Sequence, residues 1–262
     1  MTRKQKPIRS DLAWSTPDRI TVRNRDLPGE ILGKLNLGDM AFLELTGRLP
    51  TEKESTMFNA IVVTLVEHGI TPSALAARLT YAGAPESLQA AVAAGLCGLG
   101  SVFVGSTETA ARMLYEALPL GSGEVDLEQL AKDTVSRMRA EGAIIPGLGH
   151  PLHKPIDPRT PRLFQLAAES GLSGRYIALM QAIGREAERA ANKSLPINAT
   201  GAIGAICCEF GFPWKIVRGL GVMARAVGLV GHILEESQNP MAIEIWQRVE
   251  DEASAHMRPA SE

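Results

Sequence analysis

The sequence has few aromatic residues and almost no strand-type alternation of polar and apolar side chains. Phenylalanine, tyrosine and tryptophan together make up 5% of its 262 residues. One alternating stretch, at 19–22, predicts a short strand or hairpin, whereas apolar residues elsewhere repeat at helical spacing. Hydrophobic residues reach 45%, which is typical of a globular protein with a substantial core. We therefore predict a mainly α-helical protein, built as one large domain or two closely packed ones.

Helical spacing of apolar residues, interrupted by glycine and proline, predicts the positions of the helices. The predicted segments are 35–45, 57–68, 73–82, 90–100, 107–118, 127–138, 161–168, 176–191, 202–210 and 214–236. Ser106 is the expected N-cap of the segment 107–118.

Cysteine is scarce and charge is almost balanced. A net charge of −2 gives no general electrostatic reason to bind nucleic acid or an anionic membrane surface. The cysteines, Cys97, Cys207 and Cys208, lie in apolar helical surroundings and lack the spacing of a zinc site. We interpret all three as reduced core residues of a cytoplasmic protein, and we expect no metal.

No uninterrupted apolar run reaches the length of a membrane span. Residues 219–234 come closest, but Arg225 and His232 interrupt them. Residues 1–6 are basic, but no apolar segment follows them, so we expect no secretory signal. These features predict a protein without a membrane partner.

The segment 146–159 concentrates more polar chemistry than any other part of the chain. Its sequence is Pro-Gly-Leu-Gly-His-Pro-Leu-His-Lys-Pro-Ile-Asp-Pro-Arg, and its prolines prevent a regular helix. Two glycines precede His150, and His153, Lys154 and Arg159 follow it. Imidazole and cationic groups on such a loop favour an anionic ligand over a plain linker.

Polar groups stand out at other points in apolar or glycine-rich surroundings. His68 lies in a Glu-His-Gly sequence at a predicted helix end, where it is either a cap or a catalytic group. The stretch 100–105 leads into a helix whose backbone amides suit a phosphate or carboxylate, although its spacing is not that of a P-loop.

Arg225 and His232 are seven positions apart on one predicted helix, so they lie on the same face about two turns apart. Their neighbours are apolar, and a buried arginine needs a partner. That partner is either a carboxylate of a ligand or a structural ion pair.

These residues resemble the citrate synthase superfamily, and within it citryl-CoA lyase and the citryl-CoA lyase module of ATP-citrate lyase. The likeness covers roughly residues 11–246. The most specific motif is the segment 147–159, which is similar to the family's Gly-x-Gly-His…Lys…Asp-Pro-Arg loop. Further similar segments are 43–50, 67–69, 100–113 and 223–232.

The resemblance implies an all-α, citrate synthase-like multi-helical fold with a large and a small domain. It implies that residues 1–105 and 216–262 form the large domain and residues 106–215 the small domain, with a CoA loop at 144–159. It also implies a homodimer or a higher homo-oligomer.

The resemblance further implies the roles of individual residues. The implied catalytic residues are His150, His68 and Asn198, with His150 hydrogen-bonded to the carbonyl or hydroxyl of the oxaloacetate part. The implied substrate-binding residues are Arg225, Arg159 and His232. The implied CoA-binding residues are Phe103, Gly105, Ile145, Pro146, Gly147, Leu148, Gly149 and Lys154. A coenzyme A thioester is the expected substrate, together with a dicarboxylate or tricarboxylate, and no covalently bound cofactor is expected.

The implied reaction is retro-aldol cleavage of citryl-CoA, or a related 3-hydroxy-3-carboxyacyl-CoA, to acetyl-CoA and oxaloacetate. The sequence departs from the family pattern at two positions. Phe103 stands where synthases carry a histidine. The lyase module also has phenylalanine at this position, which favours a lyase. Asn198 stands where the family carries a catalytic aspartate, and an amide does not exchange a proton near neutral pH.

Two alternatives to the lyase therefore stay open. One is different acyl-CoA chemistry, such as hydrolysis or a synthase-like condensation with another 2-oxoacid. The other is a non-catalytic paralogue that binds CoA esters.

Overall fold

A computed structural model describes residues 7–150 and 152–258. Residues 1–6, which carry the prediction about a secretory signal, lie outside the described residues, as does Pro151 of the polar loop. Eleven α-helices account for most of the described chain, and the strands there are short and few. The predicted all-α fold class is confirmed.

A small antiparallel sheet precedes the helices. Strands β1 (Ala13–Thr16), β2 (Arg19–Val22) and β3 (Arg25–Asp26) pair in the order β1-β2-β3. Arg23 and Asn24 connect β2 to β3 with φ of 47° and 62°. Positive φ at both central residues is the turn geometry that matches the twist of antiparallel strands. The predicted strand at 19–22 is confirmed as the central strand of this sheet.

The α-helices follow in chain order. They are α1 (Leu37–Thr46), α2 (Glu52–Val66), α3 (Pro72–Gly83), α4 (Leu88–Cys97), α5 (Gly105–Ala117), α6 (Leu127–Ala140), α7 (Arg159–Glu169), α8 (Arg175–Ala191), α9 (Ala199–Glu209), α10 (Trp214–Gln238) and α11 (Ala242–Ser254). Each predicted helical segment overlaps one of these helices. Helix α11 has no counterpart among the predicted segments.

Side-chain caps define several helix starts. Thr51 and Glu54 form a capping box at α2, in which each side chain accepts a hydrogen bond from the other residue's backbone. The predicted cap at Ser106 is wrong, because α5 begins at Gly105 and Ser106 lies inside its first turn. The Ser106 hydroxyl donates to the carbonyl of Phe103 at 3.1 Å instead.

Helix α10 is the central element of the fold and packs against α2, α3, α4 and α5. By length and composition alone, it is the one helix of the described chain that is long and apolar enough to cross a membrane. Its residues Leu220, Leu229 and Ile233 are buried against the neighbouring helices. The apolar face of α10 therefore forms part of the protein core.

Helix α9 occupies the centre of a second group of helices and packs against α5, α7 and α8. It is buried along most of its length. A Cβ atom on Gly204 would lie 2.9 Å from the Cβ of Ala110, so glycine allows α5 to approach closely. This packing fixes the N-terminal end of α9, where Asn198 lies.

The cysteines differ in burial. Cys207 and Cys208 are fully buried in α9, and burial raises the pKa of the Cys207 thiol to about 12. Their predicted place in the core is confirmed. The same prediction for Cys97 is wrong, because Cys97 is exposed at the end of α4. The buried face of that helix carries Ala91 and Gly95, and Cys97 points away from it.

Candidate active site

Three histidines from two separate segments meet in space. His68 follows the C-terminal end of α2, whereas His150 and His153 lie in the loop between α6 and α7. The ring centroids of His68 and His150 are 5.9 Å apart with nearly parallel planes, and those of His150 and His153 are 4.3 Å apart. One ring nitrogen from each histidine lies within 4.8 Å of the other two. The fold thus brings together the two predicted catalytic histidines and adds His153 to them.

The backbone of its own loop sets the tautomer of His150. Its Nδ1 accepts hydrogen bonds from the N–H groups of Leu152, at 3.1 Å, and His153, at 3.0 Å. An accepting Nδ1 carries no proton, so the proton of the neutral ring is on Nε2. Burial, and then the neighbouring His153, lower the pKa of His150 and favour this neutral form. His150 therefore presents an N–H donor to the site.

Three clustered histidines also match the ligand types of a zinc site. In the tautomer that the loop favours, however, Nε2 of His150 is protonated and Nδ1 already accepts two N–H groups. Neither nitrogen then offers a lone pair to a cation. The cluster suits hydrogen bonding and proton transfer better than metal binding.

Short backbone contacts anchor the His150 loop to the segment before α9. The N–H of Gly149 donates to the carbonyl of Pro196 at 2.8 Å, and the N–H of Asn198 donates to the carbonyl of Gly147 at 3.0 Å. Gly147 has a φ of 84°, and a Cβ on it would lie 2.5 Å from Cα of Gly201. Both the conformation and the close approach require glycine at position 147.

The Asn198 side chain joins the same loop to α9. Its Oδ1 accepts from the N–H of Gly201 at 3.1 Å and from the hydroxyl of Thr200 at 2.6 Å, which makes it the N-cap. Its Nδ2 donates to the carbonyl of Gly149 at 2.7 Å. The amide thus uses both of its ends within the protein, next to His150. This geometry assigns it the task of positioning the loop.

Asp157 is a fully buried anchor of the loop. It accepts from Nε and Nη2 of Arg159, at 2.9 and 2.7 Å, and from the N–H of Ala199 at 2.9 Å. Burial alone would raise the pKa of Asp157, but the hydrogen bonds from Arg159 and Ala199 outweigh it and lower the pKa to about 2. Arg159, a predicted substrate ligand, is therefore already paired, although its side chain keeps 28% of its exposure.

Arg225 is buried, with 6% of its surface exposed, and forms no salt bridge with any described residue. Its guanidinium makes long hydrogen bonds to the carbonyl of Leu65, at 3.4 Å, and the hydroxyl of Thr71, at 3.5 Å. Burial lowers its pKa, and the nearby charge of Glu67 opposes that shift. Of the two predicted partners for this arginine, a structural ion pair is not found among the described residues, and binding of a ligand carboxylate stays a prediction.

His232, also a predicted substrate ligand, lies behind the histidine cluster with both ring nitrogens engaged. Nδ1 accepts from Arg78 at 2.9 Å, and Nε2 donates to Oε1 of Glu67 at 3.1 Å. The same oxygen accepts from the N–H groups of His68 and Gly69, both at 2.7 Å. No sequence pattern indicates a role for Arg78, which is fully buried and links His232 to the acidic end of α10.

The predicted CoA-binding residues occupy two loops. Phe103 is half exposed between α4 and α5, and the N–H of Gly105 is used within that loop by the carbonyl of Gly100, at 2.9 Å. Lys154 is exposed on the His150 loop, and the segment 145–149 is partly buried beneath it. No contact in the structure tests their binding of CoA, which stays a prediction.

Comparison with known proteins agrees with this fold and arrangement. Residues 30–247 match the family model described as "Citrate synthase, C-terminal domain". Since the match covers most of the chain, the protein belongs to the citrate synthase family.

Two solved structures show what the chain is similar to. The solved structure of citryl-CoA lyase from Hydrogenobacter thermophilus is 33% identical, with a TM-score of 0.79, and the alignment covers 88% of this chain and 87% of that one. An ATP citrate lyase mutant from Methanosaeta concilii, solved with (3S)-citryl-CoA, is 21% identical, with a TM-score of 0.72 over 90% of this chain and 40% of that one. At this identity the second likeness concerns the fold alone.

Citrate synthases match as well. The citrate synthase of Heyndrickxia coagulans is 26% identical over 198 residues, which are 74% of this chain and 51% of that protein. The chain spans between 34% and 56% of the length of the curated relatives it matches.

Proposed function

We propose that the protein is a citryl-CoA lyase-like enzyme that cleaves citryl-CoA, or a related 3-hydroxy-3-carboxyacyl-CoA, to acetyl-CoA and oxaloacetate. The observation that carries the proposal is the pair of backbone hydrogen bonds to Nδ1 of His150, which leaves Nε2–H as a donor beside His68. The solved relative named citryl-CoA lyase, which matches most of this chain at 33% identity, supports the choice of reaction.

The reaction breaks the bond between the tertiary carbon of citryl-CoA and the methylene carbon next to the thioester. The tertiary hydroxyl loses its proton and becomes the carbonyl of oxaloacetate, and the electron pair of the broken bond forms the enolate of acetyl-CoA. Nε2–H of His150 would stabilise the oxygen that carries negative charge during this step. A preorganised donor of this kind contributes roughly 10²–10³-fold to the rate.

Arg225 would bind a substrate carboxylate in the same site. Its buried guanidinium has no carboxylate partner at salt-bridge distance among the described side chains. The planar guanidinium matches the geometry of a carboxylate, and pairing would compensate for its burial. The CoA part would lie along the loop 144–149 and near Phe103, as the family resemblance implies.

We also propose a homodimer or higher homo-oligomer in the cytoplasm. Large apolar side chains are exposed along α10 and α11, including Val230, Leu234, Trp246 and Val249. Exposed large apolar side chains of this kind favour an interface between protein chains. The two buried, unoxidised cysteines of α9 agree with a reducing compartment.

Coupling oxaloacetate release to NADH oxidation by malate dehydrogenase tests the proposed reaction. Purified protein incubated with citryl-CoA should oxidise NADH, and His150→Asn should reduce the rate by roughly 10²-fold. Asparagine keeps an acceptor for the two N–H groups of the loop but lacks the donor at the position of Nε2. The variant should therefore fold like wild type while it loses the donor. A folded wild-type protein with no rate above buffer would contradict the proposal.

A non-catalytic CoA-ester-binding protein is the second candidate. The observation that favours it is Asn198, whose amide is fully engaged in positioning the loop. Calorimetry that shows binding of citryl-CoA by a protein that does not cleave it would support this candidate over the lyase.

A further inference from the structure

Cleavage of citryl-CoA needs a proton donor for the enolate carbon, and none of the residues assigned above has that role. The enolate of acetyl-CoA becomes a methyl group only when its carbon receives a proton. Asn198 does not exchange protons near neutral pH, and its amide is bound at both ends. The proton then comes from water or from another side chain near His150.

The carboxylates nearest the cluster are ionised and committed to other contacts. Asp157, with a pKa of about 2, holds Arg159 and the N–H of Ala199. Partial burial of Glu67 favours its neutral form, but the N–H of His68 and the side chain of His232 outweigh this and lower its pKa. An acid that stays ionised near neutral pH has no proton to donate.

The imidazoles of the cluster are the remaining acid–base groups. His150 is neutral, with its Nδ1 accepting from the loop, and its donor is required at the reacting oxygen. His153 lies against it, with ring centroids 4.3 Å apart, and is partly buried. Among the described residues, no side chain or backbone group hydrogen-bonds to either ring nitrogen of His153. Its ring nitrogens are therefore not committed to other described groups, and one of them lies within 4.8 Å of ring nitrogens of His68 and His150.

We propose that His153 protonates the enolate carbon of acetyl-CoA and removes that proton in the reverse direction. This assignment rests on the proposed lyase function. In the cleavage direction the tertiary hydroxyl proton passes to His68 or to water, and the carbon–carbon bond breaks. The carbon then takes a proton from the imidazolium of His153, which becomes neutral. One proton leaves the substrate and one enters the product, and exchange with solvent restores both histidines.

Exchange of the methyl protons of acetyl-CoA in D₂O isolates this step, because it requires only formation and reprotonation of the enolate. The exchange is followed by NMR on the full chain, with oxaloacetate present. His153→Asn should slow exchange by roughly 10²-fold or more, the range of a lost acid–base group. Calorimetric affinity for acetyl-CoA should stay within about threefold of wild type.

Further variants distinguish the loss of a proton donor from a structural effect of the substitution. His256→Asn changes an exposed histidine in the last turn, away from the cluster, and should exchange like wild type. His153→Ala should regain exchange when free imidazole is added, which a purely structural loss would not do. His153→Gln replaces the asparagine variant if that protein does not fold.

The results of these experiments distinguish the role of His153 from the proposed lyase function. Wild-type exchange and cleavage combined with a His153→Asn rate within about threefold of wild type would overturn the role of His153 alone. A folded wild-type protein that neither cleaves citryl-CoA nor exchanges methyl protons would overturn the lyase function and this role with it.

Discussion

His150 shows how a backbone can set the chemistry of a side chain. The two N–H groups that point at its Nδ1 leave Nε2–H as the group facing the site. The sequence predicts a histidine hydrogen bond here from the family resemblance, but it does not tell which nitrogen carries the proton. That depends on the path of the loop at Leu152 and His153.

Asp157 makes stability depend on pH. Its folded pKa of about 2 lies below the ordinary 3.8, so the ionised form stabilises the native state. The sign follows from linkage: this stability is present above about pH 4 and is lost as pH falls through 2. A difference of nearly two pKa units corresponds to about 2 kcal/mol. Denaturant unfolding of wild type at pH 6 and pH 2 measures the loss.

Asp157→Asn should remove the loss of stability that protonation of Asp157 causes at low pH. The variant should be less stable than wild type at pH 6, because Arg159 loses its charged partner and a buried hydrogen-bond acceptor changes. The difference in unfolding free energy between the two proteins should become smaller toward pH 2. An equal loss of stability in both proteins across this range would show that Asp157 is not the group responsible.

At the level of elements, the contact between the His150 loop and α9 determines the geometry of the site. Gly147 and Gly201 meet backbone to backbone, and Asn198 ties the same two segments together. Small movements of α9 would therefore shift His150 directly.

Gly201→Ala tests this contact. Its Cβ would lie 2.5 Å from the carbonyl oxygen of Gly147, and backbone atoms cannot yield as a flexible side chain can. We expect a loss of about 1–3 kcal/mol in unfolding free energy and a marked fall in turnover. Gly219→Ala in α10 is the matched control, since its nearest neighbour is a side-chain atom of Ile216 at 3.7 Å. If Gly201→Ala is as stable and active as the control, the contact does not fix the loop.

Helix positions follow from the sequence better than helix ends. Apolar spacing predicts where α2 and α10 lie, because their buried faces repeat at helical intervals. Helix α9 begins at Ala199, ahead of the predicted 202, because the side chain of Asn198 caps the helix by accepting from the N–H of Gly201. No helix is predicted from the sequence at α11, although Ile245 and Val249 have helical spacing. Of this helix only Ala242 is buried.

At the level of the whole molecule, the site depends on residues that are distant in sequence. Arg78 in α3 hydrogen-bonds to His232 and Glu236 in α10, across sequence separations of 154 and 158. It also contacts Glu235. Through His232 and Glu67, this network holds the turn that carries His68. No local pattern in the sequence indicates these contacts, because each arises only when α3 packs on α10.

Removing the side chain of Arg78 should therefore lower the free energy of unfolding substantially. Arg78→Ala would leave the carboxylate of Glu236 buried without its guanidinium partner, and we expect a loss of about 3–5 kcal/mol. Arg112→Ala is the control, because Arg112 forms an exposed pair with Glu116 that is worth about 0–1 kcal/mol. Guanidinium chloride unfolding measures both. Equal small losses would show that the buried network does not stabilise the fold.

Identification of the products of citryl-CoA turnover tests the central claim most directly. Mass spectrometry of the reaction mixture should find acetyl-CoA and oxaloacetate in equal amounts, formed roughly 10²-fold faster by wild type than by His150→Asn. Citrate and free CoA as the products would show hydrolysis of the thioester, and unchanged citryl-CoA would show no catalysis. Either of these results would contradict a carbon–carbon lyase that acts at the three-histidine site.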